Sequence, residues 1–240
     1  MVDFDTRTRL LIGRAGVARL QAAHVLLFGV GGVGGSCAEA LVRAGVGALT
    51  LVDGDVYCES NLNRQNFSAA DTVGESKVAV VRRELLRIRP DCRVLAVETF
   101  FTAGNAAEID FSQYAFVIDA VDDTAAKLEI IRRAQACGTP VISSMGAGNK
   151  LDPTRFLVGD IYETSVCPLA KTMRKLCREA GILNLKVVWS DEPPRLLIME
   201  DAAVAAEAGK KMVGSISFVP NVCGMVIAGE VVREIAGVTL

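Results

Sequence analysis

His24-Val-Leu-Leu-Phe-Gly29-Val-Gly31-Gly32-Val-Gly34-Gly-Ser36 runs from an apolar strand through a glycine-rich turn towards a helix. Glycines at positions 29, 31 and 34 let the backbone approach a phosphate or a ribose closely, and the N-terminus of the helix that follows favours an anion. Leu49 to Asp53 reads as the next strand and ends on an acid, about 20 residues past the glycines, where a ribose-binding carboxylate is expected. Taken alone, this unit suits NAD, FAD, S-adenosylmethionine or ATP.

Outward from it, the same alternation continues. Residues 6–22 form a predicted helix carrying Arg7, Arg9, Arg14 and Arg19, and another runs from about Ser36 to Ala44. Residues 74–89 repeat apolar positions at helical spacing before Pro90, and residues 124–137 do so before Gly138. Arg93–Glu98, Phe116–Ala120 and Val141–Ser144 read as strands. Strands alternating with helices of this length predict an α/β fold, a doubly wound, Rossmann-like and mostly parallel sheet. Beyond residue 146 the pattern loosens. Arg155–Ile161, Val187–Trp189 and Leu196–Met199 are expected strands, Pro168–Ala180 a helix, and Asn221–Ile235 a closing helix behind Pro220. Ala202–Lys211 reads equally as loop or helix. No linker interrupts the chain, so residues 1–240 are expected to form one domain. Its core is 1–145, and 146–240 is a substrate-facing and dimer-related continuation.

Hydrophobic residues make up 51% of the chain and aromatics only 5%, a mix that suits parallel strands covered on both faces. A net charge of −2 argues against nucleic-acid or membrane binding driven by overall charge. Two local basic clusters stand out, Arg82, Arg83, Arg87, Arg89 and Arg93, and Lys171, Arg174, Lys175 and Arg178. Either can be a solvated helix face, and the second is the better candidate for an RNA phosphate track. The seven cysteines contain no C-x-x-C pair, which excludes the usual paired-thiolate zinc site. Isolated thiols, no secretory leader and no span-length apolar run lead us to expect a cytoplasmic protein away from membranes. Most of these cysteines are expected to be inert; Cys167 and Cys223, in the substrate-facing half, are the exceptions to watch. His24, the only histidine, leaves little material for a Ser-His or Cys-His base.

Discrimination among nucleotides comes after the glycines. Asp53-Gly-Asp55 leads to Ser60-Asn61-Leu62-Asn63-Arg64-Gln65, Lys77 follows Gly74-Glu-Ser, and Asp119-Ala-Val-Asp122-Asp123 ends the fourth strand. A nicotinamide site needs one acid and an apolar slot. A nucleoside triphosphate needs cations, which Arg64 and Lys77 supply, and an oxygen ligand for Mg²⁺, which Asp122 supplies.

As a set, these motifs over residues 7–145 resemble the E1-like superfamily, the activators of ubiquitin and of bacterial sulfur carriers. The resemblance implies that Gly29, Gly31, Gly32 and Gly34 cradle ATP, that Asp53 binds its ribose, and that Asn61, Arg64 and Lys77 meet its phosphates. Asp55 and Gln65 would complete the nucleotide site, and Asp122 would hold Mg²⁺. Arg9 matches an arginine that reaches the partner subunit's ATP site, which implies a homodimer. Residues 143–178, from Ser144-Met-Gly146-Ala-Gly148-Asn-Lys-Leu-Asp152-Pro153-Thr154 to Pro168-Leu169-Ala170-Lys171, look like the tRNA threonylcarbamoyladenosine dehydratases.

That branch implies a tRNA substrate modified at adenosine 37. It allows a monovalent cation (Na⁺ or K⁺) near Gly146–Thr154 and leaves room for an assisting sulfur-transfer partner protein. Residues 184–212 follow the pattern only loosely. The implied chemistry is coherent: AMP turns a carboxylate into an electrophile, and a nitrogen on the same nucleoside attacks it. Well-oriented intramolecular attack reaches effective molarities on the order of 10⁵ M or more, so no enzyme thiol is required. Two other readings compete. An activator of a Gly-Gly-ended sulfur carrier would share every ATP residue but usually carries zinc cysteines. A non-catalytic E1-like half would lack Arg64, Lys77 or Asp122. A dehydrogenase fits least.

Overall fold

Five short apolar runs line up as parallel strands: β1 His24–Phe28, β2 Ala48–Val52, β3 Arg93–Val97, β4 Phe116–Asp119 and β5 Val141–Ser144. The computed structural model describes residues 3–198 and 213–239. Two further strands, β6 Phe156–Asp160 and β7 Lys186–Ser190, extend the sheet to seven in the order β3-β2-β1-β4-β5-β7-β6. Only β6 runs antiparallel, closing one edge. This is the expected doubly wound α/β sheet.

Alternate residues of β1 serve opposite faces, as strand geometry requires. Val25 and Leu27 join a core with helices α1 (Thr6–Ala22), α2 (Gly32–Ala44), α3 (Lys77–Ile88) and the C-terminal helix α6 (Phe218–Ala236). Leu26 and Phe28 face the other way, towards Phe101, Phe111 and α4 (Thr124–Ala136). A third cluster packs α5 (Pro168–Glu179) against β7, with Met173, Cys177, Val187 and Trp189 buried. No helix among the described residues is long and apolar enough to cross a membrane.

Several boundaries differ from expectation. The helix after the glycine turn begins at Gly32 rather than Ser36, because the turn passes straight into the first helical hydrogen bonds. α1 is interrupted at Gly13, whose φ of 72° lies in the left-handed region. Pro220 sits inside the first turn of α6, where a missing N–H costs nothing, rather than ahead of it. Residues 196–198 form no strand; Met199 and the ambiguous Ala202–Lys211 lie outside the described residues.

Candidate active site

The strand order reverses between β1 and β4, and open α/β sheets bind ligands outside the carboxyl ends of strands at such a point. Here a cleft of about 900 Å³ opens, lined by the ends of β1, β2, β4 and β5. The glycine turn forms its floor. Gly29 has φ +81°, and a side chain there would meet the Ala120 carbonyl oxygen at 2.7 Å. Gly34 is tighter: a Cβ would lie 1.8 Å from the Gly29 oxygen. Gly31 and Gly32 also line the cleft, and a Cβ on Gly31 would come no closer than ordinary contact with the Gln65 side chain, at 3.6 Å.

Asp53 continues β2 into the cleft. Its carboxylate accepts the Val30 N–H at 2.8 Å and the Asp55 N–H at 2.9 Å, which locks it beside the glycine turn. Lys77, first residue of α3, is buried and its ammonium meets the Asp55 carboxylate at 2.6 Å. Asp55 is thus a partner of Lys77 here, and an incoming phosphate would compete for the same ammonium. Arg64 also lines the cleft, donating to the Ser60 carbonyl at 2.6 Å and the Asn63 side chain at 3.1 Å. Both partners are neutral, so its charge stays uncancelled.

Asp122 and Asp123, both exposed, follow β4 along the rim. Asp123 caps α4 by accepting the Ala126 N–H at 2.7 Å, a structural task that Asp122 does not share. Asn61 and Gln65 lie behind the lining. Asn61 accepts the Cys58 N–H at 3.2 Å, and Gln65 is buried beside Gly31 with its amide oxygen unpartnered. Arg9 is away from the cleft and pairs with Asp5 at 3.1 Å and Asp3 at 3.5 Å.

Three groups were not singled out from the sequence. Lys127 is wholly buried under the cleft, with its ammonium on Asp119 at 3.0 Å, the Ser144 carbonyl at 2.7 Å and the Ser143 hydroxyl at 3.3 Å. Asp119 in turn accepts the Val121 N–H at 3.2 Å and so fixes the loop that presents Asp122. The signal was present: Lys127 falls on the same helical stripe as the buried Ile130, Ile131 and Ala134. The second group is Asn149, held at φ 58°. Its backbone and side chain bond both directions of Gly214, at 2.7 Å each, and its carbonyl accepts the Arg195 N–H at 2.8 Å. The third is Lys150 with Glu192. The Lys150 ammonium, buried in the cleft wall, donates to the Glu192 carbonyl at 2.5 Å, and the Glu192 carboxylate accepts the Leu151 and Asp152 N–H groups at about 3.0 Å. Burial holds the Lys150 pKa below the usual lysine value.

Thiols divide sharply. Cys37, Cys92, Cys167, Cys177 and Cys223 are buried, whereas Cys58 and Cys137 are exposed. Burial pushes Cys223 up to about 12 and Cys177 to about 11, far from a nucleophilic thiolate at neutral pH.

Known proteins share this fold and sequence. The tRNA threonylcarbamoyladenosine dehydratase of Bacillus subtilis is 38% identical over 245 residues, 98% of this chain and 95% of its own. Structures of the Escherichia coli tRNA N6-threonylcarbamoyladenosine dehydratase in complex with AMP and with ATP superpose with a TM-score of 0.87. Identity there is 31%, over 96% of this chain and 93% of that one. The probable adenylyltransferase/sulfurtransferase MoeZ of Mycobacterium tuberculosis is 36% identical over 131 residues, which are 55% of this chain and 33% of its own. A match to the ThiF family runs from residue 6, the first of α1, through residue 240, and so takes in every segment that lines the cleft; this chain belongs to that family.

Proposed function

We propose that this chain is an ATP-dependent tRNA threonylcarbamoyladenosine dehydratase. It transfers AMP to the carboxylate of the threonylcarbamoyl group on adenosine 37, releasing pyrophosphate. A nitrogen of the same modified base then attacks the activated carbonyl, closing a ring and expelling AMP. One observation carries the reading: the phosphate-neutralising Arg64 and Lys77, the ribose-side Asp53, and the Gly146–Lys150 turn of the substrate-facing half all line one cleft.

The residues fit the implied ions. Among the described residues no group of three His, Cys, Asp or Glu gathers to hold a metal unaided. Mg²⁺ commonly binds through one or two carboxylates plus substrate phosphates, and Asp122 stands exposed in the cleft to serve as one. Such an ion would neutralise charge on the departing pyrophosphate. A Na⁺ or K⁺ ion suits the Gly146-Ala147-Gly148 turn, whose carbonyls accept no backbone N–H among the described residues.

A homodimer belongs to the same reading. Arg9 does not line its own cleft, and the first segment of α1 leaves Leu10 and Leu11 82% and 84% exposed, as a surface awaiting a second copy would. Activation of a sulfur-carrier protein, with or without a sulfur-transfer partner, would use the same nucleotide residues; the narrower extent of the MoeZ match supports the dehydratase instead.

The test supplies purified protein with ATP, Mg²⁺ and tRNA bearing the open threonylcarbamoyl group, followed by mass spectrometry of the nucleosides. We expect the cyclic form and AMP in equal amounts. Adenylation only of a Gly-Gly-ended carrier protein, with the tRNA untouched, would overturn the proposal.

A further inference from the structure

We infer that the outer face of α5 is the track that holds tRNA phosphates beside the cleft, an inference that rests on the tRNA reading above. The helix starts at the site: Cys167, Pro168 and Leu169 line the cleft, and Lys171 follows two residues later. Ala170, Met173 and Cys177 bury the inner face. Lys171, Arg174, Lys175 and Arg178 fall at i, i+3, i+4 and i+7, which places all four on one stripe. The seven steps from Lys171 to Arg178, at about 1.5 Å each, give a charged rail on the order of 10 Å long, leading away from the cleft.

The other basic cluster shows what a solvated face looks like in this protein. On and after α3, Arg83 pairs with Glu75 at 2.7 Å, Arg87 with Glu84 at 2.7 Å and Arg89 with Asp91 at 3.0 Å. Those three charges are cancelled within the chain, while Arg82 donates to the Val94 carbonyl and Arg93 to the His24 ring. On α5 the partners are mostly neutral. Arg174 donates to the Thr164 carbonyl at 2.8 Å and to the Thr164 hydroxyl, and Arg178 lies over the Tyr162 ring at 5.1 Å. Lys171 has no carboxylate within bridging distance among the described residues, and Lys175 meets Glu179 only at 3.8 Å. These contacts position guanidinium groups without neutralising them. In a chain of net charge −2, attraction for a polyanion has to be local, and this stripe supplies it next to the reaction volume.

The experiment measures tRNA affinity against salt for the wild type and two double variants, Lys171→Ala/Lys175→Ala on α5 and Arg83→Ala/Arg87→Ala on α3. All four side chains are exposed, and ATP binding reports that each variant is folded. Each lost phosphate contact on single-stranded RNA lowers the slope of log affinity against log salt by about 0.7, so the α5 variant should lose about 1.4. Its affinity should fall alike for every tRNA, since phosphates carry no sequence information. The α3 variant should keep the wild-type slope. An unchanged slope in the α5 variant, or an equal loss in the α3 variant, would overturn the inference while wild-type cyclisation still upheld the dehydratase reading. Failure of the wild type to bind or cyclise tRNA would instead remove the reading beneath it.

Discussion

The two halves of the cleft hold their residues in place by different means. From residue 24 to 145, position is set by the sheet. Asp53, Asp122 and the glycine turn leave parallel strands at one edge, and bonds between neighbouring strand ends, such as Val30 to Asp53, finish the job. From residue 146 onward, position is set by clamps between distant parts of the chain. Asn149 grips Gly214 across 65 positions, and Lys150 and Leu151 grip Glu192 across about 40. A wall built on strand ends shifts only if the sheet shifts. A wall built on clamps gives way one bond at a time.

That difference predicts a graded series. The largest effect should come from Lys127→Met, which strands the Asp119 carboxylate in the sheet-built half. Breaking a buried pair from one side costs about 3–5 kcal/mol, and for a chain of this size each kcal/mol lowers Tm by about 2–4 °C. A fall of roughly 6–20 °C in calorimetry is expected, with much of it recovered by adding Asp119→Leu. A variant that melts like the wild type would show that the sheet half does not depend on this pair.

Next comes Asp122→Ala. It should cut turnover by about 10²–10³ while ATP affinity, read by isothermal titration, stays within a few-fold of wild type. Near-normal turnover would place the metal elsewhere in the cleft.

In the clamp-built half the effects should be smaller and of another kind. Asn149→Gly preserves the left-handed backbone but removes the acceptor for the Gly214 N–H. Loss of one hydrogen bond of about 1 kcal/mol should raise KM for tRNA about fivefold, with Tm lowered by no more than about 2–4 °C. A collapse in Tm instead would mean that both halves share one mode of support.

The smallest effects belong to the thiols. Cys167→Ala and Cys223→Ala, singly or together, should alter cyclisation by less than about tenfold, since the attacking nitrogen comes from the substrate. AMP release without cyclised tRNA in any of these variants would place a nucleophile on the enzyme.

The same contrast explains what the sequence disclosed. Gly29, Gly34, Asp53 and Lys77 declare themselves because their roles follow from local spacing: turn, strand end, helix start. Asp55 and Asp123 carry the same chemistry as their neighbours, and only coordinates assign one to Lys77 and the other to the α4 cap. Asn61 and Gln65 sit within a recognisable motif yet support the loop from behind the lining, a distinction of burial that spacing does not encode. The clamps at Asn149 and Glu192 escaped notice because their partners lie far along the chain and on backbone atoms, where no residue type marks them. Lys127 was the most readable omission, a lysine among buried isoleucines.

The thiol distribution has a practical consequence. With Cys177 and Cys223 protonated well past neutral pH and the other buried thiols shielded, a maleimide dye should react first at Cys58 and Cys137. Cys58 opens the Ser60–Gln65 loop on the wall that carries Arg64, and Cys137 follows α4 at the far end from Asp123. The native chain therefore brings its own donor and acceptor positions for fluorescence energy transfer. One sits on a wall of the nucleotide site and the other on a scaffold helix, so movement of that wall during turnover can be followed without engineering a residue.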